Sequence, residues 1–130
     1  MRLLLDTHVA IWAVLLNPLL TRRGRELIED ASNEVFVSAV SLWEIAIKHR
    51  VARRATSMPI SCEQAVRAFR QAGFESLGVT ASHAAAVEQL PMLHGDPFDH
   101  LLLAQAQSEP MRLVTHDVRL ASYDSSIIRI

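Results

Sequence analysis

The stretch Arg2-Leu3-Leu4-Leu5-Asp6-Thr7, followed by the apolar run Val9 to Leu16, decides how this chain is read. Three consecutive leucines between polar neighbours have the length and character of a short buried strand. The Asp6-Thr7 pair can then cap the helix that continues to about Leu16, where Asn17-Pro18 breaks it. The same alternation runs to the end of the chain. A second amphipathic helix is predicted over Thr21 to Ala31, with Leu27, Ile28 and Ala31 inward, and a second strand over Val35 to Val37. Ser38 or Ser41 can cap a helix to about Arg50. Ser61-Cys62-Glu63-Gln64 matches a capping box that opens a helix to Gln71, stopped by Gly73. Phe74 to Val79 reads as extended, Thr80 caps a helix over Ala81 to Leu90, and Pro91 ends it. Asp96 and Pro97 begin another helix, to about Ser108. Met111 to Thr115 is a strand, Asp117 caps a short helix, and Ile127 to Ile130 closes the chain as a last strand.

Strands that alternate with helices predict an α/β fold. The expected form is a three-layer α/β/α sandwich around a central, mainly parallel sheet with right-handed crossovers. The 130 residues fit one domain, spanning positions 1 to 130. Half the residues are hydrophobic, which predicts an exposed apolar patch that meets another subunit or a partner chain. Cys62 is the only cysteine, so no intrachain disulfide can form, and it reads as a thiol in a reducing cytosol. Asp6 and His8 interrupt the N-terminal apolar stretch, and no cleavage site follows Asn17-Pro18. The run Val9 to Leu16 is also far short of the ~18 residues a membrane span needs. A cytoplasmic protein is expected.

Formal net charge is −1, so the whole molecule is no magnet for polyanions, but its basic residues are grouped. Arg22, Arg23 and Arg25 form one cluster; Lys48, Arg50, Arg53 and Arg54, with His49 among them, form another. Such clusters are either solvated helix faces or a rim that tracks phosphates beside an acidic centre.

Four acids stand out. Asp6 closes Leu3 to Leu5, and Glu44 interrupts Val40 to Ile47. Asp99 precedes Leu101 to Ala104, and Asp117 follows Leu113 to Thr115. Each has an ordinary explanation. Asp6 and Asp117 can cap helices, contributing ~1 kcal/mol. Asp99 complements a helix dipole beside Asp96, and Lys48 gives Glu44 a surface partner four residues on. Together they point to a shared site. Capping accepts Ser, Thr, Asn or Asp about equally, yet three positions carry the charge, and Glu44 sits on a largely apolar helix. In an open parallel sheet, function collects beyond the carboxyl ends of the strands, which all four can reach. Two like charges ~4 Å apart repel by about 4 kcal/mol at an effective dielectric of 20, so such a cluster needs a cation. Oxygen donors suit Mg²⁺ or Mn²⁺, ions that approach phosphate oxygens and acidify water.

Other chemistries lack their motifs. The six histidines, at 8, 49, 83, 94, 100 and 116, form no H-E-x-x-H and no close pairing with Cys62, which disfavours zinc. No G-x-S-x-G elbow, P-loop or G-x-G-x-x-G is present.

Four segments, in order, resemble the PIN-domain ribonucleases, and most closely the VapC-type toxins of bacterial toxin–antitoxin pairs. They are Leu4 to His8, Ser38 to Ile45, Asp96 to Asp99 with Leu101 to Ala106, and Leu113 to Asp117. The resemblance implies a PIN-like fold and a metal-dependent endoribonuclease. Asp6, Glu44, Asp99 and Asp117 would be both the catalytic acids and the ligands of one or two Mg²⁺ or Mn²⁺ ions. Thr7, Ser38 and Thr115 would lie at the polar edge of that pocket, with Asp96 in support. The partners implied are RNA, a cognate antitoxin and a second copy in a homodimer, with Trp12 among the candidates for that interface. Lys48, Arg50, Arg53 and Arg54, joined by Arg22 to Arg25, would hold the RNA backbone. His100 and His116 stand where relatives carry other residues, which bears on substrate contacts and gives neither a catalytic role. Two rivals remain: a non-catalytic partner-binding module on this fold, and a nuclease for structured DNA.

Overall fold

A computed structural model describes residues 1–51, 58–92 and 94–130. Strand β1 (Arg2–Leu5) leads into α1 (Thr7–Leu15) and α2 (Arg22–Glu29); β2 (Glu34–Ser38) runs straight into α3 (Ala39–Val51). After α4 (Cys62–Gln71) come β3 (Glu75–Leu77), α5 (Ala81–Ala86) and a 3-10 turn (Val87–Gln89). The chain ends with α6 (Pro97–Ser108), β4 (Arg112–Thr115), α7 (Val118–Ala121) and β5 (Ile128–Arg129).

The five strands form one sheet in the order β3-β2-β1-β4-β5, and every pairing is parallel. The expected "mainly parallel" sheet is therefore wholly parallel. Period-two alternation explains the three layers. Leu3 and Leu5 face a core with Val9, Val37, Ile45, Ala65 and Phe69, under α1, α3 and α4. Leu4 faces the other way, into Leu102, Leu103, Ala106, Leu113 and Leu120 of α6, β4 and α7. With both faces covered, the three leucines are fully buried, as parallel sheets require.

The caps formed largely as the sequence dictates. Ser61 and Gln64 make the reciprocal capping box of α4, Gly73 follows it with φ +81°, and Asp96 and Pro97 start α6. Two expectations need correction. Ala31 is exposed in a turn, because α2 ends at Glu29. The helix after Thr80 keeps α geometry only to Ala86, then tightens into the 3-10 turn before Pro91. A proline disfavours α geometry in the residue before it, and Leu90 is extended with ψ 149°.

This order places a topological switch at the centre of the sheet. The chain leaves β1 toward β2 and β3, while β4 and β5 lie on the other side. The loops after β1 and β4 therefore part at adjacent carboxyl ends and leave a crevice between them. Asp6 and Asp117 stand there.

Candidate active site: an acidic cleft at the switch point

All four acids line one cleft, of about 180 Å³, together with Thr7, His8, Trp12, Asp96 and His116. Asp6 is fixed by its backbone, whose N–H donates to Val114 O at 3.0 Å and ties the β1 end to β4. Its Oδ1 caps α1 by accepting from Val9 N at 3.0 Å, and Oδ2 accepts from the Thr115 hydroxyl. Thr115 in turn accepts from the Asp117 backbone N–H at 3.0 Å, so one hydroxyl couples the two strand ends. Asp117 Oδ1 caps α7 through Arg119 N at 2.7 Å and Leu120 N at 3.3 Å.

Glu44 enters from α3 and is only 4 % exposed, so its pair with Lys48 is not the solvated surface pair its spacing allows. Glu44 Oε2 accepts from Lys48 Nζ at 2.5 Å, and Oε1 accepts from the Thr7 hydroxyl at 2.6 Å. Thr7 is also hydrogen-bonded to Ser41 Oγ at 2.9 Å. Asp99 projects from the third position of α6, and Asp96 caps that helix through Phe98 N at 2.9 Å. Asp99 Oδ2 lies 2.8 Å from His94 Nε2.

Burial raises the Asp6 pKa from 3.8 to about 6, against the hydrogen bonds from Thr115 and Val9, with Asp99 adding a small further push. The Asp99 carboxyl is also raised, chiefly by burial and then by Asp96 and Glu44, with His94 opposing. Among the described residues, Lys48 and His94 are the only cationic or ionisable partners within ion-pair distance of any of the four. Neither meets Asp6 or Asp117. The cleft lining is rich in carboxylate oxygens that Lys48 and His94 only partly compensate, chemistry that suits a hard divalent cation, and single ligand atoms of Asp99, Asp117 and His94 lie within 4.8 Å of one another.

The remaining candidates fall in different places. Thr7 and Asp96 line the cleft. Thr115 acts through Asp6. Ser38 is fully buried beneath, where it donates to Gln105 Oε1 at 2.5 Å and accepts from Val40 N at 3.0 Å. It belongs to the packing under the site and is not at the pocket's edge. Lys48 is committed to Glu44 and sits over the Phe98 ring at 6.0 Å. Arg50 is exposed at the end of α3, and Arg53 and Arg54 lie outside the described residues. Arg22 pairs with Glu26, and Arg23 donates to Arg129 O. Trp12, expected at a subunit interface, lines the cleft, edge-on to His116 at 5.2 Å and tilted toward His8. His116 thus lines the cleft, with Nδ1 hydrogen-bonded to Ile130 O at 3.0 Å.

Sequence reasoning missed His94 and Tyr123. His94 lies outside any motif, and only its place two residues before the α6 cap hints that the loop folds it back over the helix's first turn.

A crevice at the switch point of a parallel sheet, floored by carboxylates from the turns after β1 and β4 and from α3 and α6, defines an acidic-cleft α/β protein. The chain belongs to the PIN-domain family, whose model matches residues 3–125. It is 35% identical over 123 residues to ribonuclease VapC22 of Mycobacterium tuberculosis, across 92% of this chain and 90% of that protein. Among solved structures, VapBC2 from Rickettsia felis bound to a promoter DNA fragment superposes with a TM-score of 0.70 at 16% identity, covering 100% of this chain and 98% of the other. DNA-bound VapBC from Salmonella typhimurium gives a TM-score of 0.67 at 19% identity, covering 100% and 97%. At such identities these likenesses are of fold.

Proposed function

We propose that this chain is a metal-dependent endoribonuclease that hydrolyses RNA phosphodiester bonds and serves as the toxin of a toxin–antitoxin pair. The observation that carries the reading is the convergence of Asp6, Glu44, Asp99 and Asp117 on one cleft from four separate elements. The relative named a ribonuclease supports the reaction, and the VapBC complexes support an antitoxin partner.

Asp6 and Asp99 would hold a Mg²⁺ or Mn²⁺ ion, with Glu44 and Asp117 completing its surroundings. When bound, such an ion supplies Lewis acidity toward the phosphate and lowers the pKa of a water. The protein's own contribution is orientation. Thr115 and Val9 N fix the Asp6 carboxylate, Thr7 fixes Glu44, and the α7 amides fix Asp117. An acid not held by the ion can take the proton of the attacking water. The rings of Trp12 and of Trp43, which is 59% exposed and edge-on to Phe98 at 5.4 Å, offer faces against which unpaired bases can stack. Arg50 contributes a phosphate contact.

Self-association would use the tip of α1 and the following turn, where Leu15, Leu16 and Leu19 are exposed together. Among the described residues no helix is long and apolar enough to cross a membrane, and a cytoplasmic site of action is part of the proposal.

Cleavage of a structured RNA with Mg²⁺, Mn²⁺ or excess chelator tests the reading, beside the same assay on DNA. Asp6→Asn and Asp99→Asn should abolish cleavage. Undiminished activity in chelator sinks the metal mechanism, and preferential cleavage of DNA sinks the substrate.

A further inference from the structure

We propose that His94, clamped by Tyr123, is the positioning residue for Asp99. Its imidazole holds Asp99 Oδ2 so that the other carboxylate oxygen is presented to the cation. The inference rests on the nuclease reading and adds to it a residue outside the acidic set.

The hydrogen bonds fix which ring nitrogen faces Asp99. The backbone N–H of His94 donates to the Tyr123 hydroxyl oxygen at 3.1 Å. The Tyr123 hydroxyl also lies 3.1 Å from His94 Nδ1, within hydrogen-bond reach of the ring. An ionised Asp99 can only accept, so Nε2 carries a proton and donates to Asp99 Oδ2 at 2.8 Å. Two further contacts hold the ring. It stacks on Tyr123, with centroids 5.6 Å apart and planes 26° from parallel, and His100 Nε2 donates to the His94 carbonyl. Backbone, ring face and both ring nitrogens are therefore all engaged, and the chain of contacts ends on one oxygen of Asp99. Asp99 Oδ1 has no hydrogen bond among the described residues.

A different use of the same atoms is direct ligation. Single ligand atoms of His94, Asp99 and Asp117 lie within 4.8 Å of one another. The geometry favours positioning, because Nε2 already donates to Asp99 and Nδ1 is taken up by the Tyr123 hydroxyl, which leaves neither ring nitrogen free for a cation. Hydrogen-bond partners of ligating carboxylates typically matter 10–100-fold in metal affinity, far more than a loop contact would.

The test is calorimetric titration of Mg²⁺ and Mn²⁺ into the metal-free full chain, without RNA. His94→Ala should weaken both ions by roughly 10–100-fold. His94→Gln, whose amide nitrogen can donate to Asp99 from about the same place, should retain most of the affinity. Tyr123→Phe leaves the ring free to turn and should weaken both ions by an intermediate factor, with the fold intact by circular dichroism. Unchanged affinities in His94→Ala and Tyr123→Phe would show a role in loop packing only. Loss of Mn²⁺ binding with Mg²⁺ spared would show direct nitrogen ligation. Either result overturns the proposal while leaving the nuclease reading in place. A wild-type chain that binds neither ion removes the nuclease reading itself.

Discussion

Asp6→Asn should make the metal-free protein more stable at neutral pH while abolishing its activity. Asp6 is 8% exposed, and burial lifts its folded pKa to about 6 from 3.8. Between those values the folded state binds more protons than the unfolded one, so stability falls as pH rises through the window and stays low above it. The gap, at about 1.4 kcal/mol per pH unit, comes to about 3 kcal/mol. Asparagine keeps the cap on Val9 N, since Asn and Asp serve equally there. Its amide can donate to Thr115 Oγ1, but the Thr115 proton then loses its acceptor, which offsets about 1 kcal/mol. A net gain of about 2 kcal/mol at pH 7.5 corresponds to roughly 6–10 °C in Tm for a chain of this size. Thermal melts in chelator at pH 4 and pH 7.5 give the double difference, in which titrating groups not coupled to Asp6 cancel. The two proteins should melt within a few degrees at pH 4 and diverge at pH 7.5, with the variant higher. A variant less stable than wild type at pH 7.5, or a difference that does not change with pH, refutes the argument that Asp6 is ionised against its surroundings.

Other expectations follow from the same contacts. Saturating Mn²⁺ should raise wild-type stability by about 2.7 kcal/mol at one hundred times Kd, and Asp6→Asn should lose most of that gain in the same melts. Ser38→Ala strands Gln105 Oε1 and Val40 N in the core; urea titration should show a loss of about 1–3 kcal/mol, with metal affinity unchanged. Thr115→Val removes the donor to Asp6 Oδ2 and should push the Asp6 pKa higher still, read as a shift of the pH–rate profile toward alkaline pH. Arg50→Ala should flatten the slope of log K for single-stranded RNA against log salt by about 0.7, while Arg22→Ala, paired with Glu26, should leave it unchanged.

The parts of the fold written in local sequence were legible. Leu3 to Leu5, the Ser61–Gln64 box and the Asp96-Pro97 start each depend on residues within a turn of one another, and each formed where the pattern put it. What could not be read depends on contacts across the chain. Ser38 has the right position for a pocket edge, but Gln105, 67 residues away, turns its hydroxyl into the core. Trp12 looks like spare apolar surface until β4 brings His116 against it. The His94–Tyr123 clamp joins two loops 29 residues apart, neither with a motif. Lys48 shows the converse. Its spacing from Glu44 predicted the pair correctly, but burial changed what the pair does, from decorating a surface to neutralising one acid of the cleft.

Capping and ion binding, weighed as alternatives for these acids, are one arrangement. A cap residue sits where a strand's carboxyl end meets a helix's first turn, and its side chain is aimed across the positive end of that helix. Asp6 and Asp117 each give one oxygen to amides, which fixes the direction of the carboxylate. The amides of α1 and α7 thus offset part of the negative charge of Asp6 and Asp117, without neutralising it. Capping alone would be met as well by Asn, at lower cost in a buried position. Retaining charge at Asp6 against a penalty of about 3 kcal/mol makes physical sense if a cation recovers that cost when it binds. The Asp6→Asn melt therefore separates the two roles: the cap survives the substitution, and the gain in stability measures the cost of holding Asp6 ionised in the metal-free protein.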